Sequence, residues 1–86
     1  MIDILVMSEH RNEEFITAFG KHLRATRKAK GITQEELAGL SGIELRQIGR
    51  IERGEVNTTI NTVHRIAEAL ELEVKTLFDF TLGIDE

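Results

Sequence analysis

The chain of 86 residues is long enough for one small domain and too short for two. It contains no Cys, which excludes a disulfide framework, a thiolate metal site and a cysteine nucleophile and agrees with a reducing compartment. No apolar run approaches the ~18 residues of a membrane-spanning helix, and residues 4–7 are too short and too close to Asp3 for a signal peptide. We therefore expect a cytoplasmic protein with no membrane segment.

Charge is distributed unevenly along the chain. The formal net charge is −4, yet eight Lys and Arg oppose four Glu between residues 20 and 54, a local charge of +4, while the remainder carries −8. Because attraction to a polyanion depends on local potential, a net-acidic protein can still present one basic face. The alternative is that the basic residues from Lys21 to Lys30 form only the solvated side of a helix.

The first predicted helix runs from Asn12 to Lys30. Its apolar residues recur at steps of three and four, which is typical of an amphipathic helix: Phe15, Ile16, Phe19 and Leu23. Gly31 supplies the C-terminal stop. Thr33 then caps a second helix from about Gln34 to Leu40, with Leu37, Ala38 and Leu40 directed inward.

The second helix begins with a capping box and ends at a glycine. Glu36 stands three residues after the capping Thr33, as a capping box requires. Gly42 is expected to take a left-handed conformation that costs other residues about 1 kcal/mol or more. A third helix follows, in which Leu45, Ile48 and Ile51 repeat every three residues through Glu52.

The remaining elements are a fourth helix and a short fifth one. Thr59 caps the fourth helix, whose predicted inward set is Ile60, Val63, Ile66, Ala67 and Leu70. Val74, Leu77 and Phe78 mark the fifth. We therefore predict an all-α fold over residues 12–80, with residues 1–11 as an N-terminal extension of undetermined structure and residues 81–86 as a tail.

The connection between the second and third helices points to a helix-turn-helix. Only residues 41–44 join them, which forces a sharp crossing. The third helix is then held clear of the body with Arg46, Gln47 and Arg50 on its outer side. An α-helix presented in this way fits the DNA major groove, where Arg pairs with guanine O6 and N7.

Residues 19–78 resemble the repressor-type helix-turn-helix family, the Cro/XRE-like and lambda repressor-like DNA-binding domains. The motifs that carry the resemblance are Phe19-Gly20, Leu23-Arg24, Arg27, Gly31–Ala38, Gly42-Ile43, Ile48, Arg50–Gly54, Ile66–Leu70 and Leu77-Phe78. The resemblance implies a compact five-helix bundle containing a helix-turn-helix. Members of the family commonly bind operators as dimers.

The resemblance also implies roles for individual residues. Positions that match base contacts are Leu45, Arg46, Gly49 and Arg50. Positions that match contacts to the DNA backbone are Thr33, Gln34, Gln47, Arg53, Asn57, Thr58 and Thr59. Arg27 and Glu52 match a structural ion pair that links the first helix to the third.

Three positions depart from the family pattern. Glu44 stands where Ser or Thr often caps the third helix, and its charge would repel phosphate unless it points at its own helix N-terminus. Leu45 offers apolar contact to a thymine methyl but no hydrogen bond, and Gly49 offers no side chain. Direct base readout is therefore expected to rest on Arg46 and Arg50.

The predicted function is that of a sequence-specific regulator of transcription, a repressor that binds a palindromic operator in double-stranded DNA as a homodimer. Candidate dimer surfaces are Ile2–Met7 and Phe78–Leu82. No enzymatic activity is expected, because no nucleophile, base and orienting group occur together. No cofactor is expected, and no metal ion, because His10, His22 and His64 are scattered along the chain without a second ligand at suitable spacing. The alternatives are an antitoxin or restriction-modification controller protein of the same fold, or a protein-interaction module that uses Leu45 in an apolar docking patch.

Overall fold

The computed structural model describes residues 12–82, and all regular structure in that range is helical. Its elements are α1 (Glu13–Ala29), α2 (Gln34–Ser41), α3 (Leu45–Glu52), α4 (Ile60–Ala69) and a C-terminal 3₁₀ helix (Val74–Phe78). The predicted extension at residues 1–11 and the tail residues 83–86 lie outside the described residues. Between residues 12 and 82, none of the helices has the length and apolar character needed to cross a membrane.

Local hydrogen bonds set where α2 begins and ends. Thr33 Oγ1 accepts from the Glu36 N–H at 3.0 Å, and Glu36 Oε1 accepts from the Thr33 N–H at 2.9 Å, which completes the predicted capping box. Gly42 lies at φ 74° and its N–H donates to Ala38 O at 2.9 Å. The chain therefore leaves α2 through the left-handed conformation that the glycine was expected to take.

The core forms where all five elements meet. Each contributes at least one fully buried apolar side chain; examples in chain order are Leu23, Leu37, Ile48, Ile66 and Leu77. Burying a side chain of this size stabilises the fold by roughly 1.5–3 kcal/mol. The described residues therefore share a single core, and one face of α3 packs into it.

The fifth element is a 3₁₀ helix, so the prediction of five α-helices was wrong in that detail. The Thr76 N–H donates to Glu73 O at 3.0 Å and the Asp79 N–H to Thr76 O at 3.3 Å, both across three residues. A segment of five residues is short enough for this tighter geometry, which is common in connecting pieces. Of the three residues that marked this element in the sequence, Leu77 is fully buried.

Two residues that were predicted to point inward are exposed. Leu40 is 62% exposed, because Leu37 and Ser41 are the residues of α2 that face the core and Leu40 falls outside their stripe. Ile60 is 88% exposed, because it is the first residue of α4 and that helix meets the core only from Val63 onward. Both predictions were wrong, and both side chains lie on the surface.

Gly20 permits a close approach of α1 to the end of α3. A Cβ atom at this position would clash with Ile51 O and lie 2.7 Å from Glu52 O. Those oxygens belong to the backbone, so they cannot move aside as a flexible side chain would. The packing of α1 on α3 therefore depends on a residue without a side chain.

We expect Gly20→Ala to destabilise the protein by about 1–3 kcal/mol or more, because the added methyl group forces the two helices apart. Gly39→Ala is the matched control, since its Cβ would meet nothing within 4 Å and Ala favours a helix interior by ~0.5–1 kcal/mol. Urea unfolding followed by circular dichroism measures both. A Gly20→Ala midpoint equal to that of the wild type would contradict the close approach.

Candidate nucleic-acid interface

The turn between α2 and α3 is anchored by α4. Arg65 donates from Nη2 to Ser41 O at 2.9 Å and from Nε to the same oxygen at 3.2 Å. The Ser41 hydroxyl accepts from the Ile43 N–H at 3.2 Å, and Ile43 is buried. The residues that join the helices are therefore held from both sides, and α3 leaves them in a fixed direction. Sequence patterns gave no sign of the role of Arg65.

α3 has one buried side and one exposed side. Ile48, Ile51 and Glu52 are buried, whereas Arg46 and Arg50 are exposed. The two arginines stand four residues apart, so they lie on the same side of the helix. Leu45 is 42% exposed, which places it at the surface, and Gln47 is half-buried. The structure thus brings Leu45, Arg46 and Arg50 to one accessible surface.

Arg27 and Glu52 form a buried ion pair that joins α1 to α3. Arg27 Nε donates to Glu52 Oε2 at 2.6 Å and Nη2 to Oε1 at 3.0 Å, and the two side chains are 7% and 1% exposed. Arg27 Nη1 also donates to Ile32 O at 2.8 Å. The hydrogen bond to Glu52 raises the pKa of Arg27 above its ordinary value, so the guanidinium stays charged.

Gln34 joins this ion pair, which sequence reasoning missed. Its Nε2 donates to Glu52 Oε1 at 3.0 Å, so the first residue of α2 is bonded to the last residue of α3. The predicted contact of Gln34 with a phosphate would then use its second amide hydrogen or its backbone N–H at the start of α2. Thr33, beside it, already uses its hydroxyl oxygen and its N–H in the capping box.

Arg53 and Glu55 interact just beyond α3. Arg53 Nε donates to Glu55 Oε2 at 2.7 Å, and Arg50 Nε lies 3.8 Å from Glu55 Oε1. The hydrogen bond from Arg53 lowers the pKa of Glu55 below its ordinary value, so this carboxylate is ionised at neutral pH. Gly49 is buried, and a Cβ there would lie 3.0 Å from Arg53 Nη1. Arg53 therefore folds back over Gly49 and shields it.

The loop before α4 places its three predicted contact residues differently. Asn57 is exposed. Thr58 is half-buried, and its Oγ1 is buried with no hydrogen-bond partner among residues 12–82. The Thr59 hydroxyl caps α4 by accepting from the Thr62 N–H at 3.1 Å. Of the three, Asn57 and Thr59 are exposed, and the Thr59 hydroxyl is already engaged in the cap.

Glu44 occupies the N-cap position of α3. Its side chain makes no hydrogen bond to the first N–H groups of the helix, and the residue is exposed. The N-terminus of α3 therefore lacks the side-chain cap that α1, α2 and α4 each have. Glu44 directly precedes Leu45 and Arg46 in the chain, so its negative charge must be counted with the charge of this surface.

Comparison with known proteins agrees with this architecture. The family described as Helix-turn-helix (HTH_3) matches residues 23–77. The HTH-type transcriptional regulator y4dJ of Sinorhizobium fredii is 37% identical over 51 residues, which are 59% of this chain and 66% of that protein. The control protein C.BamHI of Bacillus amyloliquefaciens is 36% identical over 64 residues, 73% of this chain and 79% of that protein.

A solved structure shares the fold as well. The restriction-modification controller protein C.AhdI from Aeromonas hydrophila superposes with a TM-score of 0.72 at 41% identity, covering 73% of this chain and 96% of that one. The chain belongs to the helix-turn-helix family of DNA-binding transcriptional regulators. The resemblance found from the sequence motifs is confirmed.

We expect Glu52→Ala to destabilise the fold by about 3–5 kcal/mol, because it leaves the Arg27 guanidinium buried without its counter-charge. The double replacement of Arg27→Met with Glu52→Leu should recover most of that loss, since it removes both charges and keeps apolar volume. Thermal and urea unfolding measure the two variants. A double variant as unstable as Glu52→Ala would show that the ionic character of the pair is itself required.

Proposed function

We propose that this protein regulates transcription by binding a two-fold symmetric operator as a homodimer, with α3 of each copy in the DNA major groove. The observation that carries the proposal is the division of α3 into a buried side with Ile48 and Ile51 and an exposed side with Arg46 and Arg50. Occupation of the operator would then exclude other proteins from the promoter. The protein would therefore act as a repressor.

The spacing of the two arginines suits base edges about two steps apart. Residues four apart on an α-helix are separated by ~6 Å along the axis, which is about two base-pair steps of ~3.4 Å. Each arginine can donate two hydrogen bonds to guanine O6 and N7. Leu45, exposed at the start of α3, adds an apolar surface for a thymine methyl group. Gly49 lies under Arg53, so in this arrangement a base contact at Gly49 requires Arg53 to move.

Residues around α3 would supply the contacts to the phosphates. The candidates remain Thr33, Gln34, Gln47, Arg53, Asn57, Thr58 and Thr59. Gln34 and Asn57 are supported by free donor capacity, because Gln34 has a second amide hydrogen and Asn57 is exposed. Thr58 is the least supported, because its hydroxyl oxygen is buried.

An apolar cleft supports the dimer. It is an open space of about 180 Å³ whose apolar lining includes Phe15, Ile60, Val74 and Phe78, all of them exposed. The rings of Phe15 and Phe78 stack with centroids 6.3 Å apart, so the surface is preformed. Exposed apolar groups grouped in this way are typical of a protein interface.

Of the two segments predicted as dimer surfaces, one contributes a residue to the cleft. Phe78, from the predicted Phe78–Leu82, lines it, whereas Phe80 packs back against the core and Phe15, with ring centroids 5.4 Å apart. Ile2–Met7 lies outside the described residues.

A restriction-modification controller is the second candidate. It is supported by the 41% identity to C.AhdI, a match that extends over 96% of that controller's chain, and by the similarity to C.BamHI. The fold and the reading helix are common to both candidates. The position of the operator in the genome separates them, because a controller would bind beside restriction and modification genes.

We expect Arg46→Ala and Arg50→Ala each to reduce discrimination between the operator and a scrambled duplex by ~1–3 kcal/mol, the worth of one bidentate pair. Lys75→Ala is the control, because it removes one exposed cation from the 3₁₀ helix. The operator is first selected from random duplexes, and fluorescence anisotropy at fixed salt gives the affinities. Unchanged selectivity in both arginine variants would remove α3 as the reading helix.

We expect Ile60→Asp to weaken self-association at least tenfold without unfolding the protein, since one buried apolar side chain of this size is worth ~1.5–3 kcal/mol. Leu40→Asp is the matched control, because it places the same charge at another exposed apolar residue that does not line the cleft. Sedimentation equilibrium measures the dimer constant of each. Equal weakening by both changes, or none by Ile60→Asp, would contradict a dimer through this cleft.

A further inference from the structure

Glu55 is held in place beside the exposed side of α3 by its own backbone. Gly54 takes φ 73°, its N–H donates to Ile51 O at 3.0 Å, and the Glu55 N–H donates to Arg50 O at 2.9 Å. This pair of bonds is the Schellman arrangement that ends a helix. The Cα of Glu55 is therefore fixed relative to α3, which limits the positions that its carboxylate can occupy.

This one carboxylate contacts two arginines. Glu55 Oε2 accepts from Arg53 Nε at 2.7 Å, Oε1 lies 3.4 Å from Arg53 Nη2, and Arg50 Nε is 3.8 Å from Oε1. The three groups together carry a single positive charge, although each is about half exposed. Exposed ion pairs add little to stability, so this cluster has little to do with holding the fold.

Gly49 makes room for the cluster. The Nη1 atom of Arg53 lies 3.0 Å from where a Cβ of Gly49 would stand, so the guanidinium covers a part of α3 that has no side chain of its own. Gly49 follows Arg46 by three residues and precedes Arg50 by one. Arg53 thereby reaches back from the end of α3 along the helix that carries both proposed base readers.

We propose that Glu55 is a positioning residue that keeps Arg53 over Gly49, holds Arg50 at the same carboxylate, and thereby raises the selectivity of DNA binding. The inference rests on the proposed function, and it adds a role for a carboxylate that no motif indicated. Any DNA sequence offers phosphates, and a phosphate must compete with Glu55 for these arginines. The correct operator also offers base edges, which Arg50, already held in position, meets without a search through rotamers. Glu55 therefore disfavours nonspecific DNA more than the operator.

The test compares Glu55→Gln with Glu73→Gln. Each change removes one negative charge and keeps the side-chain length, and Glu73 is an exposed residue just before the 3₁₀ helix, paired with Lys75 at 3.5 Å. The backbone bonds that end α3 do not involve the altered side chain of Glu55. Affinities for the selected operator and for a scrambled duplex are measured by fluorescence anisotropy over a range of salt concentrations.

For Glu55→Gln we expect roughly threefold tighter binding to the scrambled duplex, in line with the loss of an exposed ion pair that competes with phosphate. Operator affinity should change less, so the selectivity ratio falls. The log–log salt dependence on scrambled DNA should steepen by ~0.9, because Arg53 becomes free to neutralise one more phosphate. Glu73→Gln should leave the selectivity ratio and the salt slope unchanged.

Gly49→Ala provides a second, independent change. The added methyl group meets only the far end of the Arg53 side chain, so it should displace that guanidinium without disturbing the fold. We expect a lower selectivity ratio together with a steeper salt dependence on scrambled DNA, because the displaced Arg53 becomes free to meet a phosphate. Loss of a base contact by Gly49 itself would lower selectivity without changing that slope. Circular dichroism verifies that the variant stays folded.

Selectivity ratios and salt slopes that match the wild type in Glu55→Gln, or that move equally in Glu73→Gln, would overturn the role of Glu55. If the wild type binds the operator selectively and the variants leave selectivity and salt slope unchanged, only the role of Glu55 is contradicted. A wild type that binds no duplex contradicts the proposed function and, with it, the inference.

Discussion

The buried pair of Arg27 and Glu52 is the interaction on which the rest of the structure depends. Removing two charges from water costs several kcal/mol per ion, and only close and complete hydrogen bonding offsets that cost. Here both carboxylate oxygens and three guanidinium nitrogens are used, with Ile32 O and the Gln34 amide as additional partners. Such a pair permits one relative position of α1, α2 and α3. Since Glu52 is the last residue of α3, the same pair determines which side of α3 remains outside.

The parts that could be predicted from the sequence are those governed by near neighbours in the chain. The capping box at Thr33, the cap at Thr59 and the left-handed Gly42 all lie where local chemistry requires them. The exposed Leu40 and Ile60 and the 3₁₀ geometry could not be predicted in the same way. Whether a residue at those positions is buried depends on whether a neighbouring helix extends far enough to cover it. The spacing of apolar residues in the sequence carries no information about that extent.

In the candidate site, too, the features set by helical periodicity could be predicted, and the partners of long polar side chains could not. The outward position of Arg46 and Arg50 follows from helical periodicity, because Ile48 and Ile51 must be buried. The partners of Gln34, Arg53 and Arg65 could not be derived, since long polar side chains reach several acceptors from one backbone position. Each of them bonds a group fixed by tertiary structure or by a helix end: Glu52, Glu55 and Ser41 O respectively.

Under the proposed function, association of two copies and contact with DNA involve the same loop. Asn57 and Thr58 are predicted to meet phosphates, and both also line the apolar cleft proposed as the dimer surface. A partner copy that covers the cleft would restrict this loop before DNA arrives, so less conformational freedom would be lost on binding. Dimer formation and DNA affinity would then rise together, because each orders the segment that the other needs.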